Sequence, residues 1–283
     1  DPNYALAYAG LADGYCLLAF FGLLPPSEAM PKAKAAALRA VELDDSLADG
    51  HTSLACMLEA YDWDWPAAEA EFRRALELNP NHPTAHRFYA DYLTAAGRTD
   101  EAMAEIQRAQ ELDPLSVVIQ NELAWNFAMA RQYDRAIEQC HETIAMEPAF
   151  APAHHILADC YHHAGRHEEA LASFERALEL NGNSPSTLAS YGYVLAAQGR
   201  AAEARRILDQ LSEMAGQGRI SPYLRALVHA GLDEREAAID CLGECHAKHD
   251  VALIFLKMEP NFDRLRSDPR FEELMRRVFG DIA

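Results

Sequence analysis

Basic residues are scarce in this chain of 283 residues. Lysine and arginine number 25 against 44 aspartates and glutamates, for a formal net charge of −19. Such a chain meets phosphate with like charge and forgoes the counterion release that drives nucleic-acid binding, so no nucleic-acid role is expected. The deficit favours basic partners, or simply reflects acidic helix faces that keep an elongated fold soluble. Long apolar runs are also missing. The longest, residues 16–24, falls well short of the roughly 20 residues a membrane helix needs. No cationic stretch before an apolar core marks a signal peptide, so no membrane role is expected. A disulfide framework is absent from the spacing of Cys16, Cys56, Cys140, Cys160, Cys241 and Cys245, which are scattered mostly through helical patterns and suit a reducing, cytoplasmic setting. There is no Gly-rich phosphate loop, no nucleophile-elbow motif, and no second histidine after His141-Glu142 to complete a zinc-protease helix. Acidic pairs such as Glu168-Glu169 and Glu272-Glu273 read as solvated faces. Neither an enzyme nor a cofactor is expected.

What the chain does have is a beat. Half its residues are apolar and 24% are charged, enough to bury a core. The run Ala75-Leu76-Glu77-Leu78-Asn79-Pro80 recurs as Ala109-Gln110-Glu111-Leu112-Asp113-Pro114. It returns as Thr143-Ile144-Ala145-Met146-Glu147-Pro148 and again as Ala177-Leu178-Glu179-Leu180-Asn181-Gly182, at steps of 34 residues. Ala40-Val41-Glu42-Leu43-Asp44-Asp45 precedes the first of these by 35. Gly97-Arg98, Gly165-Arg166 and Gly199-Arg200 keep the same time, with Arg131-Gln132 in the equivalent slot. Ala102, Ala136, Ala170 and Ala204 follow in phase, and Ile106, Cys140, Phe174 and Leu208 come four residues later. Each mark has a mechanical reason. Glycine can end a helix in the left-handed conformation at little steric cost. Alanines let backbones approach, and the larger residue fills the gap between units. Proline after the second helix prevents its continuation.

This pattern resembles the tetratricopeptide repeat, two antiparallel helices per unit, from end to end of the chain. The resemblance implies an all-α fold: a right-handed superhelical α-solenoid of about seven helical hairpins. One unit cannot bury its apolar face alone, so stacking does it. First helices are expected near 4–20, 48–60, 83–96, 117–130, 151–164, 185–198 and 221–231. Second helices are expected near 27–43, 66–78, 100–112, 134–146, 168–180, 201–215 and 234–247. The solenoid is thus residues 1–248, and 249–283 is a C-terminal capping segment packed on the last repeat, with a short helix from about 269 to 278. Two units depart from the pattern. Phe20-Phe21-Gly22-Leu23-Leu24-Pro25-Pro26 lengthens the first turn. Tyr61-Asp62-Trp63-Asp64-Trp65 lies between the helices of the second, where Trp65 takes a core slot and Trp63 is the extra residue.

Three stretches are similar to one bacterial group in particular. They are residues 8–15 (Tyr8 to Tyr15), 61–80 with its Tyr-Asp-Trp-Asp-Trp and Glu71-Phe72-Arg73-Arg74, and Phe262-Asp263-Arg264-Leu265-Arg266-Ser267-Asp268-Pro269-Arg270-Phe271. They resemble the C-terminal repeat regions of multidomain bacterial signalling proteins, whose partner domain is a winged-helix DNA-binding module, a class III nucleotide cyclase or a Ser/Thr kinase. The resemblance implies a protein–protein interaction scaffold that binds a polypeptide partner, or its own effector domain, and regulates it. Asp1-Pro2 matches the end of a repeat unit, so the chain reads as a fragment. The outer face of its first helix is then expected to seek another copy of itself, which makes a homodimer, and a purely structural self-association module, the alternative to a scaffold.

In such solenoids the first helices line the concave groove. Counting along them puts Arg87, Asp91, Asn121, Trp125, His155, Asp159, His162 and Tyr193 on that face, a mixture able to hold an extended or helical peptide. Trp125 is the candidate hot spot; the competing reading packs Trp125 and Tyr193 between neighbouring first helices. The Lys/Asn clamp by which some relatives hold acidic chaperone tails is missing, since its slots carry Ala9, Asp13, Ser53, Thr84 and Phe88. Two constellations have metal-like spacing. One is His155, Asp159, His162 and His163 with His154, Cys160 and His167 nearby; the other is Cys241, Cys245 and His249. Neither has a return ligand elsewhere, so the first reads as polar surface and Cys245 as a small buried residue; no metal is expected.

Overall fold

A computed structural model describes residues 2–20, 23–216 and 220–280. Fifteen α-helices and no strand occur among them. Fourteen of the helices pair as hairpins: α1 (Ala5–Phe20) with α2 (Pro26–Leu43), α3 (Ala48–Met57) with α4 (Trp65–Leu78), and α5 (Pro83–Ala95) with α6 (Thr99–Leu112). Then come α7 (Val117–Met129) with α8 (Tyr133–Met146), α9 (Ala151–His163) with α10 (His167–Asn181), α11 (Pro185–Ala197) with α12 (Ala201–Gly216), and α13 (Pro222–Gly231) with α14 (Arg235–Ala247). Each helix packs on its hairpin mate and on the next helix along the chain, and the odd-numbered helices also pack on one another. This is the nearest-neighbour stacking of a solenoid. Phe21 and Gly22, in the lengthened first turn, lie outside the described residues.

The hairpin bends fall where the beat puts them. Gly97, Gly165 and Gly199 have φ of 81, 75 and 79°, and the next N–H returns to a carbonyl five residues back, as Arg98 N does to Leu93 O at 2.8 Å. Arg131 takes the same left-handed slot at φ 58°, and Asp233 takes it in the last hairpin. So does Trp63, at φ 54° and 34 residues before Gly97. Trp63 is therefore not the extra residue of the second unit. His51 precedes its counterpart His86 by 35 residues, so the added residue lies between His51 and Trp63. It is absorbed by a π-helical turn, Leu58–Asp62, that continues α3. A π turn is what a one-residue insertion into an α-helix produces.

A second periodic device joins the units. The imidazole Nε2 of His51, His86 and His154 reaches the carbonyl six residues earlier, at Asp45, Pro80 and Pro148, over 2.9, 3.0 and 3.1 Å. Gln120 Nε2 donates to Pro114 O in the same way at 2.8 Å. Each bond satisfies a carbonyl at the loop entering a unit, where no helical partner exists. Glu71 and Glu105, on the second helices, hold the Nδ1 of His51 and His86. This is why long N–H-bearing side chains recur at the fourth position of the first helices.

The C-terminal segment goes further than a cap on the last repeat. Two 3-10 turns, Val251–Phe255 and Pro260–Leu265, and a final helix α15 (Pro269–Phe279) follow α14. Their side chains at Leu253, Leu256, Phe262, Leu265, Phe271, Val278 and Phe279 are fully or almost fully buried. The segment packs on α13 and α14, and also on α1, on the π turn and on α5. Trp65 Nε1 donates to Val278 O at 2.7 Å and the indole stacks on Phe279 at 5.1 Å. Trp63 stacks on His249 and His246, and Tyr61 tilts against His249. The bend of the second hairpin is thus clasped to the far end of the chain. One continuous apolar core consequently joins residues 12–102 to residues 188–279, while the middle hairpins keep a core of their own from Ala90 to Val194.

Candidate functional site

The side chains expected to line the groove on the odd-numbered helices have two different chemistries. At the α1–α7 end they are acidic. Arg87 lies flat on the Phe88 ring, 3.8 Å from its centroid, with Nη1 3.7 Å from Asp91 Oδ2. Asp91 Oδ1 has no hydrogen-bond partner. Burial, with Glu122 close by, pushes the Asp91 carboxyl well above the usual range; Arg87 only partly opposes this. Glu122, on α7, is raised by the same burial. Glu59, in the π turn, is only 4% exposed, its Oε1 is unpartnered, and burial next to Asp91 lifts it well above a normal glutamate. Asp13, on α1, accepts a 2.7 Å hydrogen bond from Ser53 and is also raised by burial. Asn121, buried, leaves its Oδ1 without a partner.

At the α9–α11 end the face is built of rings. His155 spans the two helices, with Nδ1 3.1 Å from Thr187 Oγ1 and Nε2 3.1 Å from Ser190 Oγ and 3.2 Å from Asp159 Oδ2. His162 stands edge-on to Tyr193 at 5.6 Å and beside His163 and His167. Burial and the neighbouring His163 pull its pKa down to about 4, so the ring is neutral at physiological pH. His163 stacks on Tyr133. His154 is the latch described above. His155 is occupied by protein partners, whereas His162 Nδ1 is buried without a hydrogen-bond partner. Among the described residues no set of three His, Cys, Asp or Glu side chains is arranged to hold a metal ion. Cys245 is fully buried, and burial pushes its thiol far up.

Between the two ends the groove contains polypeptide. Phe255 meets Trp125 edge to face, centroids 4.9 Å apart. Lys257 Nζ donates to Ala96 O at 3.2 Å, at the C-terminal end of α5. Arg131 pairs with Asp263 at 2.9 Å. Glu259 lies among Tyr193, Tyr223 and Asp159; burial lifts its carboxyl to about 7 although it accepts hydrogen bonds from Asn261 N and Tyr223 OH. Residues 251–265 therefore run against α5, α7, α11 and α13. Of the eight candidates, Arg87 and Asp91 are brought together, as are His155 with Asp159 and His162 with Tyr193. Trp125 meets the chain's own tail at Phe255.

Counting along the first helices misses Glu59, Glu122 and the tail residues. Glu59 follows the π turn's register shift, and Glu122 is one position from a counted residue. The tail's apolar spacing signals burial without saying where.

Models of the tetratricopeptide repeat match residues 61–117, 121–185 and 163–228, more than half of the chain. The chain belongs to the tetratricopeptide-repeat family. All the matching models are repeat models and none describes a catalytic domain. Among curated proteins it is similar to the transcriptional regulator HilA of Salmonella typhimurium, 29% identical over 114 residues, which is 40% of this chain and 20% of HilA. The chain thus spans about a fifth of that relative's length. Among solved structures it is similar to the repeat protein TTC0263 of Thermus thermophilus (TM-score 0.58, 22% identity, 65% of this chain and 98% of that one). It is also similar to a monomeric mutant of IFIT1 with Gppp-AAAA (TM-score 0.65, 18% identity, 97% of this chain and 64% of that one). At these identities both likenesses concern the fold.

Proposed function

We propose that this chain is a scaffold that holds polypeptide against its groove face, as the regulatory part of a larger bacterial signalling protein. A scaffold for protein–protein interaction is what the repeat fold supports. The observation that carries the finer reading is residues 251–265, a polypeptide lying in the groove with an aromatic contact on Trp125, a charge pair at Arg131 and a lysine capping α5. A groove that grips its own tail through an aromatic platform, helix-end carbonyls and charge pairs has the chemistry to grip a partner, or the effector domain of its own protein, beside it. The resemblance to a transcriptional regulator supports the regulatory setting. Six free thiols support a reducing, cytoplasmic one. No helix of the described residues is long and apolar enough to cross a membrane. No catalysis is part of this reading.

The test is selection of peptides from a random library on the intact chain. Trp125→Ala is expected to weaken the selected peptides by about 2 kcal/mol, the scale of a hot spot, with the helical circular dichroism retained. Binding that ignores Trp125→Ala overturns the groove reading. Unfolding of that variant would mark Trp125 as core, and Phe255→Ala then serves as the second arm. It leaves the indole in place and uncovers it, so peptide binding that does not change when it is uncovered also overturns the reading.

A second reading, self-association, rests on α1. Tyr4, Leu6, Leu11 and Leu17, on or just before this first helix, are each between 43 and 54% exposed. A homodimer through this face would take these side chains out of water on both copies. Its measure is the solution mass of the chain with and without Leu11→Glu and Leu17→Glu: a dimer that falls to monomer supports it, and a monomer throughout ends it.

A further inference from the structure

The acidic end of the groove has more carboxyl groups than its one cation can serve. Asp13, Glu59, Asp91 and Glu122 come from α1, the π turn, α5 and α7, and Arg87 is the only guanidinium or ammonium among them. Arg87 is spent on the Phe88 ring and a long 3.7 Å approach to Asp91. Two acceptors remain empty: Glu59 Oε1, on a side chain more than nine-tenths buried, and Asp91 Oδ1. A buried acceptor without a donor is costly, and carboxyls crowded in a low-dielectric groove answer by staying protonated. Such a cluster would relax if a cation entered it, because N–H donors would fill the empty acceptors and the charge would offset the crowding. A compact divalent ion does not suit it, since no three acidic or imidazole groups among the described residues are arranged around one point. An elongated cation with several donors does.

We propose that this pocket receives the side chain of a lysine or arginine from the bound polypeptide, with Glu59 and Asp91 as its acceptors and Asp13 at the mouth. The inference rests on the groove reading above and names the partner's chemistry: a basic residue at one fixed position, seated among the carboxyls that α1, the π turn, α5 and α7 supply. The groups facing Glu59 and Asp91 are Asp13, Glu122, Arg87, the thiols of Cys16 and Cys56, and the Tyr92 hydroxyl near Glu59. Both thiols are raised by burial, so they contribute no charge. Burial raises the proton affinity of Glu59 and Asp91 and an incoming cation lowers it, so binding is expected to release protons to the buffer.

The experiment uses 12-residue peptides selected on the intact chain, in three arms. Citrulline, an uncharged stand-in for arginine, replaces each basic residue of the peptide in turn. Glu59→Gln with Asp91→Asn, which keeps size and hydrogen-bonding capacity, replaces the acceptors. Calorimetry in buffers of different ionisation enthalpy counts the protons released. The expected result is a lysine or arginine at one fixed position, about 10- to 100-fold weakening by citrulline there, the same loss in the double variant, and proton release that the double variant abolishes. Peptides that depend on Trp125 but show no fixed basic residue overturn the pocket while leaving the groove reading intact. Basic peptides that bind the double variant equally well report the general −19 charge of the chain and overturn it too. Selection of no Trp125-dependent peptide at all defeats the groove reading itself. Because the citrulline arm alters only the peptide, a double variant that fails to fold leaves a decisive measurement.

Discussion

The middle hairpins and the two ends of this solenoid are built from the same repeat but held by different contacts. From α5 to α10 each unit follows the 34-residue beat, bends at Gly97, Arg131 and Gly165, and contributes to a core from Ala90 to Val194 built between neighbouring units. Stability there is a sum of local terms. The ends break the beat and touch each other. The π turn and the bend at Trp63 present two indoles to the last thirty or so residues, and one core runs through both ends. A repeat array that would otherwise be open at both ends is closed by contacts between residues as far apart as Trp65 and Val278. The difference teaches that regularity supplies the rod, while irregularity supplies the long-range order that makes the groove a defined enclosure.

The comparison is most directly broken at Trp65, which is 2% exposed. Trp65→Ala removes its stack on Phe279 and its bond to Val278 O and should cost about 3–5 kcal/mol. Hydrogen exchange should show α3, α4 and α15 loosening together. Phe174→Ala, in the middle core, should cost a similar amount but loosen only α9 to α11. If both variants loosen the same helices, the two cores are one cooperative unit and the distinction fails.

A smaller effect is expected from Glu259, which ties the tail to Tyr223 and carries a carboxyl lifted to about 7 by burial. In the unfolded chain the group ionises near a normal glutamate value. The folded state therefore binds the extra proton between the two values, and stability falls as pH rises through that window. The loss should be about 1–3 kcal/mol between roughly pH 4.5 and 7. Glu259→Gln should flatten that part of the melting-temperature profile. An unchanged slope would assign the pH dependence to the acids of the other end, Glu59 and Asp91.

The smallest change tests the regular region. A Cβ at Gly165 meets nothing within 4 Å, so the cost of Gly165→Val is expected to come chiefly from the backbone, at φ 75°. About 1 kcal/mol or more is expected from a β-branched residue forced left-handed, read as a lower melting temperature. No loss would mean the bend tolerates any residue, as Arg131 in the equivalent slot would then suggest.

Much of this could be read from the sequence because the repeat writes it down several times. The bends and the hairpin partners are local and recurrent, so Gly97, Gly165 and Gly199 mark them without any knowledge of the rest. What happens once, or across the whole chain, leaves no such trace. The inserted residue of the second unit looks like Trp63 because that residue interrupts the motif, yet a π turn upstream absorbs it and leaves Trp63 in phase. The tail's apolar residues announce that they are buried but not that α1, α5 and Trp125 are among the things they cover. Glu59 escapes a count made at α-helical spacing because the turn it sits in is wound differently. The histidine-rich stretch resembles a ligand set until the partners are seen: His154 holds a loop carbonyl, and His155 bridges two helices.

The clasp at Trp65 also determines how the molecule would answer a pull. Repeat arrays under tension commonly unravel from their termini one hairpin at a time. Here α15, at the last described residues, is moored to the second hairpin, so force applied at that terminus loads the indole–Val278 mooring and the buried tail before any repeat. The resistance should appear as one high rupture followed by a train of lower, evenly sized steps. The groove would lose its inner wall at the first of them.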